Sequence, residues 1–287
     1  MNPPSDAATL REVVALLDGL YPPRLAEPWD AVGLVVGRPD ARVARIAFAV
    51  DPVFQAVEDA IAWEADLLVV HHPLLLRPVS SVAADTHKGA IVHRLIAAGC
   101  ALYTAHTNAD SAGGGVADAL AEAIGVGGLR PLAPAAGETA GGRPAGLGRV
   151  GALSSPMTLG SFASRVARAL PATEHGVRIA GDVDAVVQTV AVVGGAGDSL
   201  FEEVRAAGVD VFVTADLRHH PASEARERAR FDGTDRPYLL DVAHSASEWH
   251  WLARAARAVA RSLSEGGARV ETTVNPAVAD PWTARIA

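Results

Sequence analysis

Residues 8–20 carry apolar side chains at helical spacing and the run stops near Pro22-Pro23. From there the pattern switches back and forth. Arg45–Val50 predicts a strand, Val53–Glu64 a helix, Asp66–His71 a strand, His87–Ala98 a helix, Ala101–Ala105 a strand and Gly115–Ile124 a helix. The alternation resumes with strand Arg149–Leu153, helix Leu159–Leu170, strand Thr189–Val193, helix Ser199–Ala207 and strand Asp210–Thr214. It closes with strand Pro237–Val242, helix Ser247–Leu263 and strand Arg269–Thr273. Alternating strands and helices predict an α/β fold with mostly parallel or mixed sheets.

Residues 131–148, rich in Pro, Ala and Gly, read as a linker between an N-terminal half (1–130) and a C-terminal half (149–287). The halves resemble each other. Ile46–Val50 leads through a helix to Asp66-Leu-Leu-Val-Val70, as Val190–Val193 leads to Asp210-Val-Phe-Val213. His71-His72-Pro73 is echoed by His219-His220-Pro221. Each half also has a Tyr-bearing strand that runs into His-x3-carboxylate, Tyr103…His106…Asp110 and Tyr238…His244…Glu248. A duplicated α/β unit is the simplest account.

The chain has 287 residues, enough to bury a core without staples, and its one cysteine, Cys100, excludes an internal disulfide framework. Residues 1–10 lack the basic start and apolar block of a secretory signal, and the apolar stretches are too short to span a membrane. A soluble, cytoplasmic protein is expected. The net charge of −8 comes without any arginine-rich block. That balance argues against a nucleic-acid binder and favours a small-molecule or metal protein.

His71 and His72 end an apolar strand, where open α/β sheets place their ligands. Neighbouring strand side chains point to opposite faces, so the pair is expected to serve two ions more easily than one. The alternative is a hydrogen-bonded strand terminus. His106 is either a ligand or a group orienting one, and Asp110 either a ligand or a helix N-cap. His244 and Glu248 share a face if a helix has begun, and a glutamate can bridge two cations; an exposed first-turn carboxylate is the alternative for Glu248.

Asp216 and His220 read as substrate-binding and His219 as an acid–base group, with an Asp216–Arg218 ion pair as the bland alternative. Trp29 reads as a pocket wall, or else as core packing. Gly194-Gly195-Ala-Gly197 is a glycine-rich turn whose N–H groups could cradle phosphate, although it matches neither a P-loop nor GxGxxG. Cys100 reads as a small core residue.

Across nearly the whole chain these segments resemble the GTP cyclohydrolase I type 2-like, or Nif-three-like, family of dinuclear metal-centre proteins. The resemblance rests on Trp29–Leu34, Val70–Leu74, His106–Asp110, Gly194–Gly197, Thr214–Leu217 and His244–Glu248 in that order. It implies a Nif-three-like fold with a metal site between the halves. His71, His72, Asp110, His244 and Glu248 would be ligands to two divalent ions (zinc, iron, manganese or nickel), Glu248 bridging and His106 beside them. It also implies a ring-shaped homohexamer. Ala31, Ala215 and the Ala243-His244-Ser245 run depart from the family pattern without removing a ligand.

The function expected is a metal-dependent hydrolase acting on a small molecule such as a nucleotide, with Glu248, His106 and His219 as its catalytic groups. Phosphoester hydrolysis, and a non-catalytic metal chaperone or regulatory scaffold, are the alternatives.

Overall fold

A computed structural model describes residues 7–139, 142–276 and 279–286. It divides the chain into two compact units: Met1–Ala109 with Leu252–Ala279, and Asp110–Trp251 with Asp280–Ala287.

The first unit contains β1 (Ala8–Thr9), α1 (Leu10–Leu20), β2 (Gly33–Val36), β3 (Arg42–Val43), β4 (Arg45–Ala49), α2 (Phe54–Ala62), β5 (Leu67–Val70), α3 (His87–Ala98) and β6 (Ala101–Thr104). The helix α4 (Thr107–Ser111) follows. The second unit holds α5 (Val116–Ala123), β7 (Val126–Thr139), β8 (Arg143–Thr158), α6 (Leu159–Ala169), β9 (Val177–Ala180), β10 (Val186–Ala196), α7 (Phe201–Ala207), β11 (Val211–Ala215), α8 (His219–Phe231) and β12 (Tyr238–Val242). The long α9 (His244–Glu265) starts in the second unit and ends in the first, which the chain then completes with β13 (Glu271–Val274).

In the first unit the sheet order is β13-β4-β5-β6-β2, parallel except for the β6–β2 pair. All four residues of β5 are buried, as are all four of β6, which is why these strands read as unbroken apolar runs. Ala47, Ala49, Leu68, Val70 and Leu102 pack with Val57 of α2 and Leu95 of α3. In the second unit the order is β7-β8-β10-β11-β12-β9, with β10, β11 and β12 parallel and the outer strands antiparallel. Val190, Val192, Val211, Val213 and Leu240 pack with Leu120, Phe162 and Val166, while Ala191, Val193, Phe212 and Leu239 meet Val204. The fold is α/β with mixed sheets, as the alternation predicts.

The boundaries differ from those expected. The 131–148 stretch is no linker: apart from residues 140–141, which lie outside the described residues, it forms the paired strands β7 and β8. Pro134 and Gly146 pair across that ladder, and a Cβ on Gly146 would lie 2.3 Å from the Ala133 carbonyl oxygen. Nor does 149–287 stay in one half, since β13 pairs in parallel with β4. The helix α8 escapes an apolar-period reading because only Arg226 and Ala229 are buried, and its surface is laced with pairs such as Arg228–Asp232 and Arg230–Glu227.

The duplication has a physical core. Asp66 Oδ2 accepts from the N–H groups of Ala44 and Arg45 at 2.7 and 2.8 Å. Asp210 Oδ2 accepts from Gln188 and Thr189 at the same distances and the same sequence separations. Each carboxylate fastens the start of its strand to the start of the preceding one. For Asp210, burial alone would raise the pKa. The Thr189 and Gln188 groups and the nearby Arg236 guanidinium outweigh it and hold the carboxyl below its usual value.

Asp66→Ala and Asp210→Ala are each expected to destabilise their own unit by about 2 kcal/mol, read as an earlier urea transition. Because the folded-state pKa of Asp210 is depressed, its contribution is present above about pH 4 and is lost as pH falls further. The gap between wild type and Asp210→Ala is therefore expected to close in acid; a gap that persists unchanged at pH 3 contradicts this.

Candidate metal centre

The register of the parallel strands assembles the first group of donors. Val70 of β5 lies opposite Ala49 of β4 and Thr104 of β6. Continuing those registers two residues past the strand ends sets Asp51, His72 and His106 in one row. The side chains follow suit: the rings of His71, His72 and His106 lie 5.0 to 5.5 Å apart. One ligand atom from each lies within 4.8 Å of the other two. β5 ends at Val70, so His71 and His72 lie just past the strand.

Each of these imidazoles is held by its Nδ1. In His71 it meets the Ala105 carbonyl oxygen at 2.8 Å, in His72 Asp51 Oδ1 at 2.7 Å and in His106 Asp30 Oδ1 at 2.8 Å. Carbonyl and carboxylate oxygens accept only, so Nδ1 of a neutral ring carries the proton and Nε2 is the atom that could hold a metal. Asp30 also accepts from the backbone N–H and the hydroxyl of Thr107. Burial would raise its pKa, but the His106 and Thr107 bonds outweigh it and keep the carboxyl well below the usual carboxylate range. Three neutral imidazoles oriented by such partners suit a divalent transition ion.

Trp29 is 58% exposed, and its ring stands edge-on to His106 at 5.9 Å. That excludes core packing for Trp29.

A second donor pair sits in the second unit. His244 is the first residue of α9, and His244 Nε2 lies 3.1 Å from Glu248 Oε1. Glu248 is buried, so the exposed-carboxylate alternative is excluded. His244 Nδ1 faces Asp216 Oδ2 at 2.8 Å, repeating the device of the first unit. Asp216, expected to bind substrate, is thus the partner that orients His244. The bland alternative for it fails as well, because Arg218 pairs with Asp198.

The glycine-rich turn is not a phosphate cradle. Gly194 and Gly195 belong to β10, and the Gly195 N–H donates to Ser247 Oγ at 2.8 Å. The glycine serves close approach: a Cβ on Gly195 would lie 2.7 Å from Glu248 Oε1 and 3.0 Å from His244 Nε2.

Asp110 lies in α4, outside the group of three imidazoles, and α5 is capped by Gly115, so Asp110 is not its N-cap. His219 and His220 open the exposed face of α8. His219 lines a cleft of about 360 Å³ with Arg178, Ser223 and Asp241, in which no expected ligand takes part. The likeness to His71-His72 is therefore one of letters: that pair ends a strand, whereas this one begins a helix. Cys100 is buried, which pushes its thiol up to about 12, as befits a core residue.

Sequence reasoning missed Asp51, and it gave Asp30 no role although Asp30 lies in a segment that carries the resemblance. Asp51 had a usable signal, a carboxylate just past the strand paired with the His71-His72 strand.

A model of the Duf34/NIF3 (NGG1p interacting factor 3) family matches residues 8–281. The chain belongs to the Duf34/NIF3 family. A relative from Streptomyces coelicolor named GTP cyclohydrolase 1 type 2 homolog is 52% identical over 97% of this chain and 95% of its own length. A Mycobacterium tuberculosis relative of the same name is 37% identical over 95% of this chain and 96% of its own. The solved Bacillus cereus protein related to NIF3 superposes with a TM-score of 0.86 at 23% identity, covering 97% of this chain and 99% of that one. The family and fold expected from the resemblance are borne out. Among the described residues no helix is long and apolar enough to cross a membrane.

Gly195→Ala puts a methyl where Glu248 and His244 pass. It is expected to lower the affinity of that pair for zinc about tenfold while the three-imidazole group keeps its ion. Zinc titration of metal-stripped protein reads both; an unchanged titration contradicts the close-approach role.

Proposed function

We propose that this Duf34/NIF3 protein is a metal-dependent hydrolase built on two divalent ions. One observation carries the reading: four imidazoles, His71, His72, His106 and His244, each have Nδ1 engaged by an oxygen acceptor, and His244 Nε2 also faces the buried Glu248 carboxylate at 3.1 Å. A core with no need of metal has no reason to orient four rings by the same nitrogen. Buried Glu248 adds a carboxylate beside one of them, and Asp110 completes the set that the family resemblance implies. Divalent ions in such sites polarise substrate oxygens and bring the pKa of water down toward 7.

The remaining work falls to the chain's own groups. Asp51, Asp30 and Asp216 hold the rings. Glu248 has two carboxylate oxygens, so it could hold one ion with each and bridge the pair. The exposed indole of Trp29 offers a face for a planar base. That feature, with the name carried by the Streptomyces coelicolor relative, points to a purine nucleotide opened at a ring carbon rather than cut at a phosphoester. The ring-shaped homohexamer belongs to the same proposal; a mass near that of one chain in light scattering would overturn it.

Elemental analysis of the purified protein is expected to find about two divalent ions per chain, followed by turnover of GTP with the native metal and little with a phosphoester panel. Glu248→Gln is expected to lower the metal content; both ions retained in that variant argue against bridging. Full metal loading with no turnover of any substrate leaves the non-catalytic scaffold as the function.

A further inference from the structure

We infer that Asp241 is a positioning residue for His244, acting through the backbone of the β11–α8 connection. The inference rests on the reading of His244 as a ligand and adds a residue that the expected set lacks.

Asp216 is a non-glycine residue in the left-handed region, with φ of 54°. An L side chain adopts that conformation only when its surroundings impose it. The turn is needed: β11 ends at Ala215, and Asp216 must swing its carboxylate back to His244 Nδ1, 2.8 Å away. Rotating that residue also redirects the next peptide, whose N–H no longer continues the ladder. That N–H, of Leu217, donates to Asp241 Oδ1 at 3.0 Å.

Asp241 is itself fixed. It lies in β12, opposite Thr214 of β11 on one side and Arg178 of β9 on the other. The residue is buried, and its other oxygen, Oδ2, accepts from the Arg178 guanidinium and lies 3.1 Å from His175 Nε2. One oxygen is thus anchored to β9 and its neighbouring loop, and the other secures the turn. The chain of contacts runs Arg178, Asp241, Leu217 N–H, Asp216, His244 Nδ1. Asp241 touches neither His244 nor any expected ligand in these contacts, so its effect on the ring has to pass through the turn.

Asp241→Asn is the informative variant, since it keeps the shape of the side chain. A carboxylate serves donors on both sides, whereas an amide has one acceptor oxygen and must give up either Leu217 or Arg178. The test is carried out on the full chain, metal-stripped, at a pH where histidine is neutral. Long-range 15N–1H correlation reads the His244 tautomer, its signals assigned by their loss in His244→Ala. Wild type is expected to show one His244 protonation pattern, set by Asp216 at Nδ1 and Glu248 at Nε2, and Asp241→Asn a mixture. Zinc titration is expected to show about tenfold weaker binding at one site of the variant and wild-type binding at the three-imidazole group. Asp241→Ala, which removes both acceptors, is expected to go further in the same direction.

A folded Asp241→Asn protein, checked by its thermal midpoint, with the wild-type tautomer overturns the inference. If the tautomer shifts while His244→Ala binds zinc as wild type does, the positioning role of Asp241 stands and the ligand role of His244 falls.

Discussion

An imidazole can offer a metal a fixed lone pair only when its other nitrogen is committed, and four histidines of this protein have Nδ1 committed to an oxygen. Free histidine exchanges its proton between two nitrogens and rotates about two bonds. A ligand must do neither. The Ala105 carbonyl and the carboxylates of Asp51, Asp30 and Asp216 engage Nδ1 and fix the ring plane of the four histidines. Three of these four acceptors are carboxylates, and a carboxylate facing an imidazole raises its basicity as a ligand. Asp30 shows what this requires of the surroundings. It sits in a place that would favour its neutral form, and the Thr107 hydroxyl and N–H, with His106, keep it ionised.

The two units meet the requirement by different routes. In the first, parallel pairing does it directly: strands β4, β5 and β6 end in step, so residues just past their ends fall side by side. In the second, the strands end in step as well, but the donors come later, at the first turn of α9, and must be reached by a bent backbone. The left-handed Asp216, the bulged Gly194-Gly195 stretch of β10 and the hydroxyls of Thr214 and Ser247 all serve that reach. Strain of this kind collects where a side chain has to be somewhere that regular structure would not put it.

Much of this was legible in the sequence. The apolar runs at Asp66–His71 and Ala101–Ala105 gave the buried strands, because strands covered on both faces leave no polar alternation to misread. The ligand candidates were legible wherever a histidine closed such a run. What stayed hidden has a common cause, namely dependence on pairing between distant segments. The 131–148 stretch reads as a linker because Pro and Gly dominate it; only the ladder between β7 and β8 shows those residues accommodating close approach. The role of Asp51 depends on the β4–β5 register, and that of Asp30 on a segment far from His106 in sequence. His219-His220 misled for the opposite reason. Its letters matched His71-His72-Pro73, but the residues before it form a turn rather than a strand end.

The shared scaffold explains why the echo is partial. Asp66 and Asp210 do the same work at the starts of their strands, holding two backbone N–H groups at matching distances. That device sets the offset between neighbouring parallel strands, and its loss would disturb every position downstream. The strand ends carry no such constraint, because a residue past the last ladder bond can change without shifting the register. Duplicated units are therefore expected to stay alike at the strand starts and diverge at the ends. This chain does so: one unit closes its strands with imidazoles, and the other delays its donors into a helix and reaches them through a strained turn.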